Sequence, residues 1–125
     1  MRWGVVVLLL ALSTCKYEHS EEYQIKAREA ALKHDLLEMR KAIGDFRADK
    51  KRGPYSLEEL KTAKYLHTIP KDPVTGLPDW CVTTEAAVRN DDFASTAAPS
   101  AAPEVVDVHS RAPGRDTSGK LYSNY

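Results

Sequence analysis

A thiolate beside an imidazole is the simplest covalent catalyst a short chain can carry, so cysteine and histidine are the first residues to place. The chain has two cysteines, Cys15 and Cys81, and four histidines, His19, His34, His67 and His109. No Cys–His spacing marks a nucleophile with its base, and the histidines lack metal-ligand spacing. His34 and Glu38 stand four apart and share a helix face, the ordinary spacing of a surface pair. Asp91-Asp92 has no partner acid, and Asp72, set among prolines, reads as a loop cap. Two cysteines are too few for a disulfide framework. Cys81 is expected to be a small buried hydrophobe. No glycine-rich phosphate loop, nucleophile elbow or paired-cysteine motif is present in the sequence. The residues predict no enzyme. A thiol enzyme built on Cys81 and a histidine is the least favoured of three readings.

The charge balance narrows the partners. Lys and Arg number 18, against 18 Asp and Glu. Without residues 1–14, which carry only Arg2, the count is 17 against 18, a net of −1. A nucleic-acid binder would show a basic excess, so no nucleic acid is expected. The length of 125 residues suits one domain with a modest core.

The N-terminus sets the compartment. Arg2 precedes an unbroken apolar run from Val5 to Leu12, followed closely by Lys16, Glu18, His19, Glu21 and Glu22. That is the layout of a secretory signal peptide, and the run is shorter than the ~20 residues a spanning helix needs. Leu12-Ser13-Thr14-Cys15 resembles a bacterial lipobox, with Thr14 standing where Gly, Ala or Ser is usual. The resemblance implies a signal peptide over 1–14 and a lipid on Cys15. It places the chain on the periplasmic face of the envelope, anchored to the inner or outer membrane. An ordinary signal peptide cut near Ser13 is the alternative. Residues 15–24 then form anchor and tether.

From Ile25 a helical pattern takes over. Ile25, Leu32, Leu36, Met39, Ile43 and Phe46 form one stripe. Ser20 with Glu21 and Glu22 suits a helix start, and Gly53-Pro54 suits its stop. The helix would run roughly 30 residues, ~45 Å, so part of it should project or meet a partner. Ser56 and Glu59 have capping-box spacing and open a short second helix. Pro70, Pro73, Gly76 and Pro78 give a loop of fixed shape. Trp80–Thr84, Val105–Ser110 and Leu121–Tyr125 are strand candidates. Residues 86–103 carry an Ala/Pro/Ser tract and read as a flexible excursion within a single domain spanning 25–125. The expected fold class is α+β, a long helix packed on a small antiparallel sheet with one short extra helix.

This order of elements resembles the periplasmic part of type II secretion pseudopilins, in particular the major pseudopilins of the G family. The match is carried by the helix end Asp45–Lys50 before Gly53-Pro54-Tyr55-Ser56-Leu57-Glu58-Glu59-Leu60, and by Ile69-Pro70-Lys71-Asp72-Pro73-Val74-Thr75-Gly76. The closing run from Val108 through Gly114 to Tyr122-Ser123-Asn124-Tyr125 adds to it. Val74-Thr75 stands where that family has Trp, and Trp80 is the candidate replacement. The prepilin cleavage motif is absent: Val5-Val6-Val7 follows Gly4, and the first glutamate is Glu18.

The resemblance implies a pilin-like fold and a structural or assembly role beside other pseudopilins or secretion-apparatus subunits. The chain would be held by the lipid on Cys15, and the missing prepilin motif leaves polymerisation open. It also implies a calcium site in the C-terminal loop, for which Asp107 and Asp116 with backbone carbonyls are the candidate ligands. Pro113 occupies a place where an aspartate would be expected, so a turn held by Gly114 and Gly119 without any cofactor is the favoured reading of this loop. The competing function is an unrelated periplasmic lipoprotein with a scaffold or ligand-binding role.

Overall fold

The computed structural model describes residues 3–85 and 102–125, with the side chains of the first helix from residue 20 onward. The side chains of residues 3–19, which include most of the expected signal peptide and Cys15, lie outside the described part. So does most of the expected excursion, over 86–101.

Helix α1 runs from Trp3 to Lys50, 48 residues and ~72 Å at 1.5 Å per residue. It passes straight through the segment 15–24 expected to be a tether, and Ser20 does not cap its start. The charged residues there are good helix formers. The first proline of the chain is Pro54, and only Gly4 and Gly44 interrupt the helical sequence. Glu22 and Lys26 add an i,i+4 ion pair of 2.6 Å. The helix ends where expected. Lys51 adopts a left-handed conformation, φ 59°, and its N–H reaches back to the Arg47 carbonyl at 3.0 Å. Gly53 and Pro54 then turn the chain.

The buried face of α1 comprises Leu32, Leu36, Met39, Ala42, Ile43 and Phe46. Ile25, expected at the head of this stripe, is 42% exposed. Every residue from Ser20 to Arg28 is exposed, and burial begins at Glu29. Ile25 has the right spacing, but no element of the domain extends far enough along the helix to cover it. Burying Phe46 alone contributes about 2–3 kcal/mol. Its ring meets Tyr65 edge-on at 5.3 Å.

Helix α2, Leu57–Thr62, is capped by Ser56, whose hydroxyl accepts the Glu59 N–H. Glu59 reaches back to the Tyr55 N–H at 2.7 Å and pairs with Arg52 at 2.5 Å. The capping-box reading thus places both side chains, with Glu59 bonding one residue earlier than the usual partner.

The sheet has two antiparallel strands, β1 (Cys81–Glu85) and β2 (Glu104–His109). A bulge falls where Thr83 faces Asp107 and Thr84 faces Val105, leaving Val106 as the extra residue. In a regular strand Val105 and Val108, three apart, would face opposite sides. The bulge turns both inward, to 1% and 0% exposure, and α1 packs on this strand. β1 is the outer strand, and all five of its residues are exposed. Cys81 is among them, so the expectation of a buried thiol is corrected: the helix packs on β2, and β1 meets it at its end, where Arg47 lies 4.0 Å from Glu85.

The expected third strand over Leu121–Tyr125 is also corrected. Leu121 makes a single bridge to Arg115, and Tyr122–Asn124 curls into a 3₁₀ turn. Its amides are taken locally, Asn124 by the Leu121 carbonyl and Tyr125 by the Tyr122 carbonyl.

Candidate functional site

Four polar or charged side chains are buried in the described structure: Glu29, Asp72, Ser110 and Asp116. A buried carboxylate must be satisfied by donors, or it destabilises the fold. All four side chains hold or belong to the segment Ser110–Tyr125, which lies against α1.

Asp72 sits in the proline loop and is fully buried. It accepts the Val74 N–H at 2.8 Å and the Ser110 hydroxyl at 2.5 Å. The Trp80 indole N–H bonds the Pro70 carbonyl at 2.8 Å. Asp72 therefore caps the loop, as its setting among prolines suggests, and also ties that loop to the end of β2. Trp80 is buried beside it.

Glu29 is the first buried residue of α1. Its carboxylate accepts the Thr117 N–H at 2.9 Å and the Thr117 hydroxyl at 2.8 Å. The Tyr122 hydroxyl is 3.4 Å away. Sequence reasoning passed over Glu29. The signal was there: it lies three residues before Leu32, on the apolar stripe itself.

Asp116 organises the loop. Its Oδ1 accepts the Ser118 N–H at 2.8 Å, the Ser118 hydroxyl at 2.7 Å and the Lys120 N–H at 2.8 Å. Its Oδ2 accepts the Tyr125 hydroxyl. The Tyr125 and Ser118 hydrogen bonds hold the Asp116 carboxyl far below its ordinary range. The same bond pushes the Tyr125 phenol up. The Lys33 and Lys120 ammonium groups lie 5.0 and 4.0 Å from the centre of the Tyr125 ring.

Asp107 has donors of its own. Arg40 Nε donates to Asp107 Oδ1 at 2.7 Å, and its Nη2 reaches the Val108 and Tyr125 carbonyl oxygens at 2.9 and 2.7 Å. Burial pushes the Asp107 carboxyl up, but the Val108 N–H and Arg40 outweigh it and hold the group below its usual range. His109 Nδ1 is 3.0 Å from the Tyr125 oxygen, and its Nε2 is 3.4 Å from Asp107.

These contacts bear on two expectations about chemistry. Calcium wants 6–8 oxygen ligands. Asp116 and Asp107 each accept from protein donors, Asp116 from Ser118, Lys120 and Tyr125 and Asp107 from Arg40 and the Val108 N–H. Among the described residues no group of three or more His, Cys, Asp or Glu side chains is arranged to hold a metal ion. The second expectation concerns Cys81, which the strand register sets opposite His109. The spacing in sequence did not suggest that pairing. His109 Nδ1 faces the Tyr125 oxygen.

Three comparisons bear on kinship. No known protein family, curated protein or solved structure matches this chain. The pseudopilin resemblance therefore stands on the residues quoted for it.

Proposed function

We propose that this chain is a pseudopilin-like assembly subunit of a type II secretion or type IV pilus-related envelope system. It is tethered at the membrane through a lipid on Cys15, does not polymerise, and works by packing, with no reaction of its own. The observation that carries this reading is the division of α1. One uninterrupted helix holds a compact domain between Glu29 and Phe46, and its residues from Ser20 to Arg28 are all exposed. A domain on a helical stalk presents its surface at a fixed distance from an anchor. Enzymes have no general need of that geometry, while an assembly subunit does.

Tyr23 (73% exposed) and Leu37 (67%) are large apolar groups on this helix. They are the contacts offered to other pseudopilins or secretion-apparatus subunits. Photo-crosslinkers placed at positions 23 and 37 in the native envelope should give adducts with such subunits. Labelled palmitate should enter the wild type and be lost in Cys15→Ala. Adducts confined to unrelated envelope proteins would overturn the assembly reading; absent label would overturn the tether.

A further inference from the structure

The acids of the C-terminal loop disagree with the calcium site that the resemblance implies, and the disagreement has a positive content. We propose that the segment Ser110–Tyr125 is a metal-independent latch, in which the Lys33 and Lys120 ammonium groups supply the positive charge that a cation would otherwise bring. This inference does not depend on whether the chain assembles with partners.

A bound cation organises a loop in three ways. It gathers oxygens, fixes the turn and cancels buried negative charge. Each of these tasks has a protein group assigned to it here. Asp116 gathers the turn through the Ser118 and Lys120 amides, and the Ser118 and Tyr125 hydroxyls complete its shell. A cation would have to strip those four donors from the carboxylate. The charge is met beside Tyr125, where Lys33 and Lys120 stand over the ring that touches Asp116. Ammonium over a phenol ring is itself attractive.

The latch closes on α1 at three levels: Glu29 takes Thr117, Lys33 takes the Tyr125 ring, and Arg40 takes the Tyr125 oxygen. Lys33 and Arg40 project from the helix, Lys120 from the loop. The clamp therefore joins elements some 80 residues or more apart in the chain. It is built from groups that are always present, whereas a calcium loop would open and close with the concentration of the ion.

The experiment uses the full chain, with calcium chloride or EDTA as the only additive, and reads Tm together with amide hydrogen exchange. Tm should agree within about 1 °C between millimolar calcium and EDTA. Tyr125→Phe should speed exchange at the Ser118 and Lys120 amides at least tenfold. The Val105 amide, bonded to the Pro54 carbonyl at the far end of the domain, should keep its protection. The double variant Lys33→Gln, Lys120→Gln should loosen the same two positions. A rise of several degrees with calcium would overturn the proposal. So would unchanged exchange at positions 118 and 120 in either variant.

Discussion

Glu29 and Thr117 are joined by two hydrogen bonds, one from the Thr117 amide at 2.9 Å and one from its hydroxyl at 2.8 Å. The carboxylate belongs to the first helical turn that the domain covers, and the threonine to the tip of the last loop. Glu29→Ala removes the acceptor and leaves the amide and hydroxyl of the exposed Thr117 and the Tyr122 hydroxyl without it. A hydrogen bond to a charged group contributes about 1.5–3 kcal/mol, and water at the exposed Thr117 offsets part of the loss. A destabilisation of about 2–3 kcal/mol in urea unfolding is expected. Ile25→Ala, four residues earlier on the same stripe but exposed, should change stability by less than about 0.5 kcal/mol. Equal effects at the two sites would mean that the domain extends further down the helix than Glu29.

Acid should loosen the same loop. Asp116, Asp107 and Glu59 all have folded-state pKa values below their ordinary ones. For a carboxyl with a depressed folded pKa, the stabilisation is fully present above the unfolded pKa, about 4. It is lost as pH falls through the folded value. Tm should therefore be flat with respect to these groups from pH 7 to about 5, then fall steadily towards pH 2. Asp116→Asn should lower Tm at pH 7 and reduce the steepness of the acid limb. A wild-type Tm that held level from pH 5 down to pH 2 would contradict the assignment.

The turn at Gly53 is a close approach that no other residue fits. A Cβ there would sit 2.9 Å from the Glu104 Cβ and 3.2 Å from the Val105 carbonyl oxygen. The Gly53 N–H bonds the Glu104 carboxylate at 2.6 Å, and the Val105 N–H bonds the Pro54 carbonyl at 2.7 Å. Gly53→Ala must push the start of β2 away from the end of α1, a cost of about 1–3 kcal/mol. Gly44→Ala, with open space around its Cβ position, should instead stabilise the helix by up to about 1 kcal/mol. Thermal unfolding of the two variants side by side should show shifts of opposite sign.

The core helix was legible in the sequence because its period is carried by large apolar residues. Leu32 through Phe46 could be read off at once, as could the Ser56–Glu59 cap and the Gly53-Pro54 stop. Three features were hidden for physical reasons. The bulge at Val106 breaks the two-residue period, so Val105 and Val108 look like opposite faces until the partner strand is known. Cys81 follows the buried Trp80, and only the tertiary arrangement leaves β1 uncovered. The last segment looks like a strand because Leu121, Tyr122 and Tyr125 are good strand formers. Its fate is set by Asp116, a tertiary hub that draws Tyr125 back into a curl. A closer look at Asp116-Thr117-Ser118-Gly119 would have found the hub, since an aspartate two residues before a serine and three before a glycine is a turn signature. Glu29 was missed for the opposite reason: a charge on an apolar stripe is easily discarded, although such a charge needs a buried partner.

The continuity of α1 also makes it a ruler. Cys15 and Glu29 lie fourteen positions apart, ~21 Å along a helix axis. Each residue added or removed between them moves the domain by ~1.5 Å and turns it by about 100°. Height and heading are thus coupled. A seven-residue insertion would lift the domain by ~10.5 Å with nearly the same face forward. A two-residue insertion would lift it by only ~3 Å and present the opposite side.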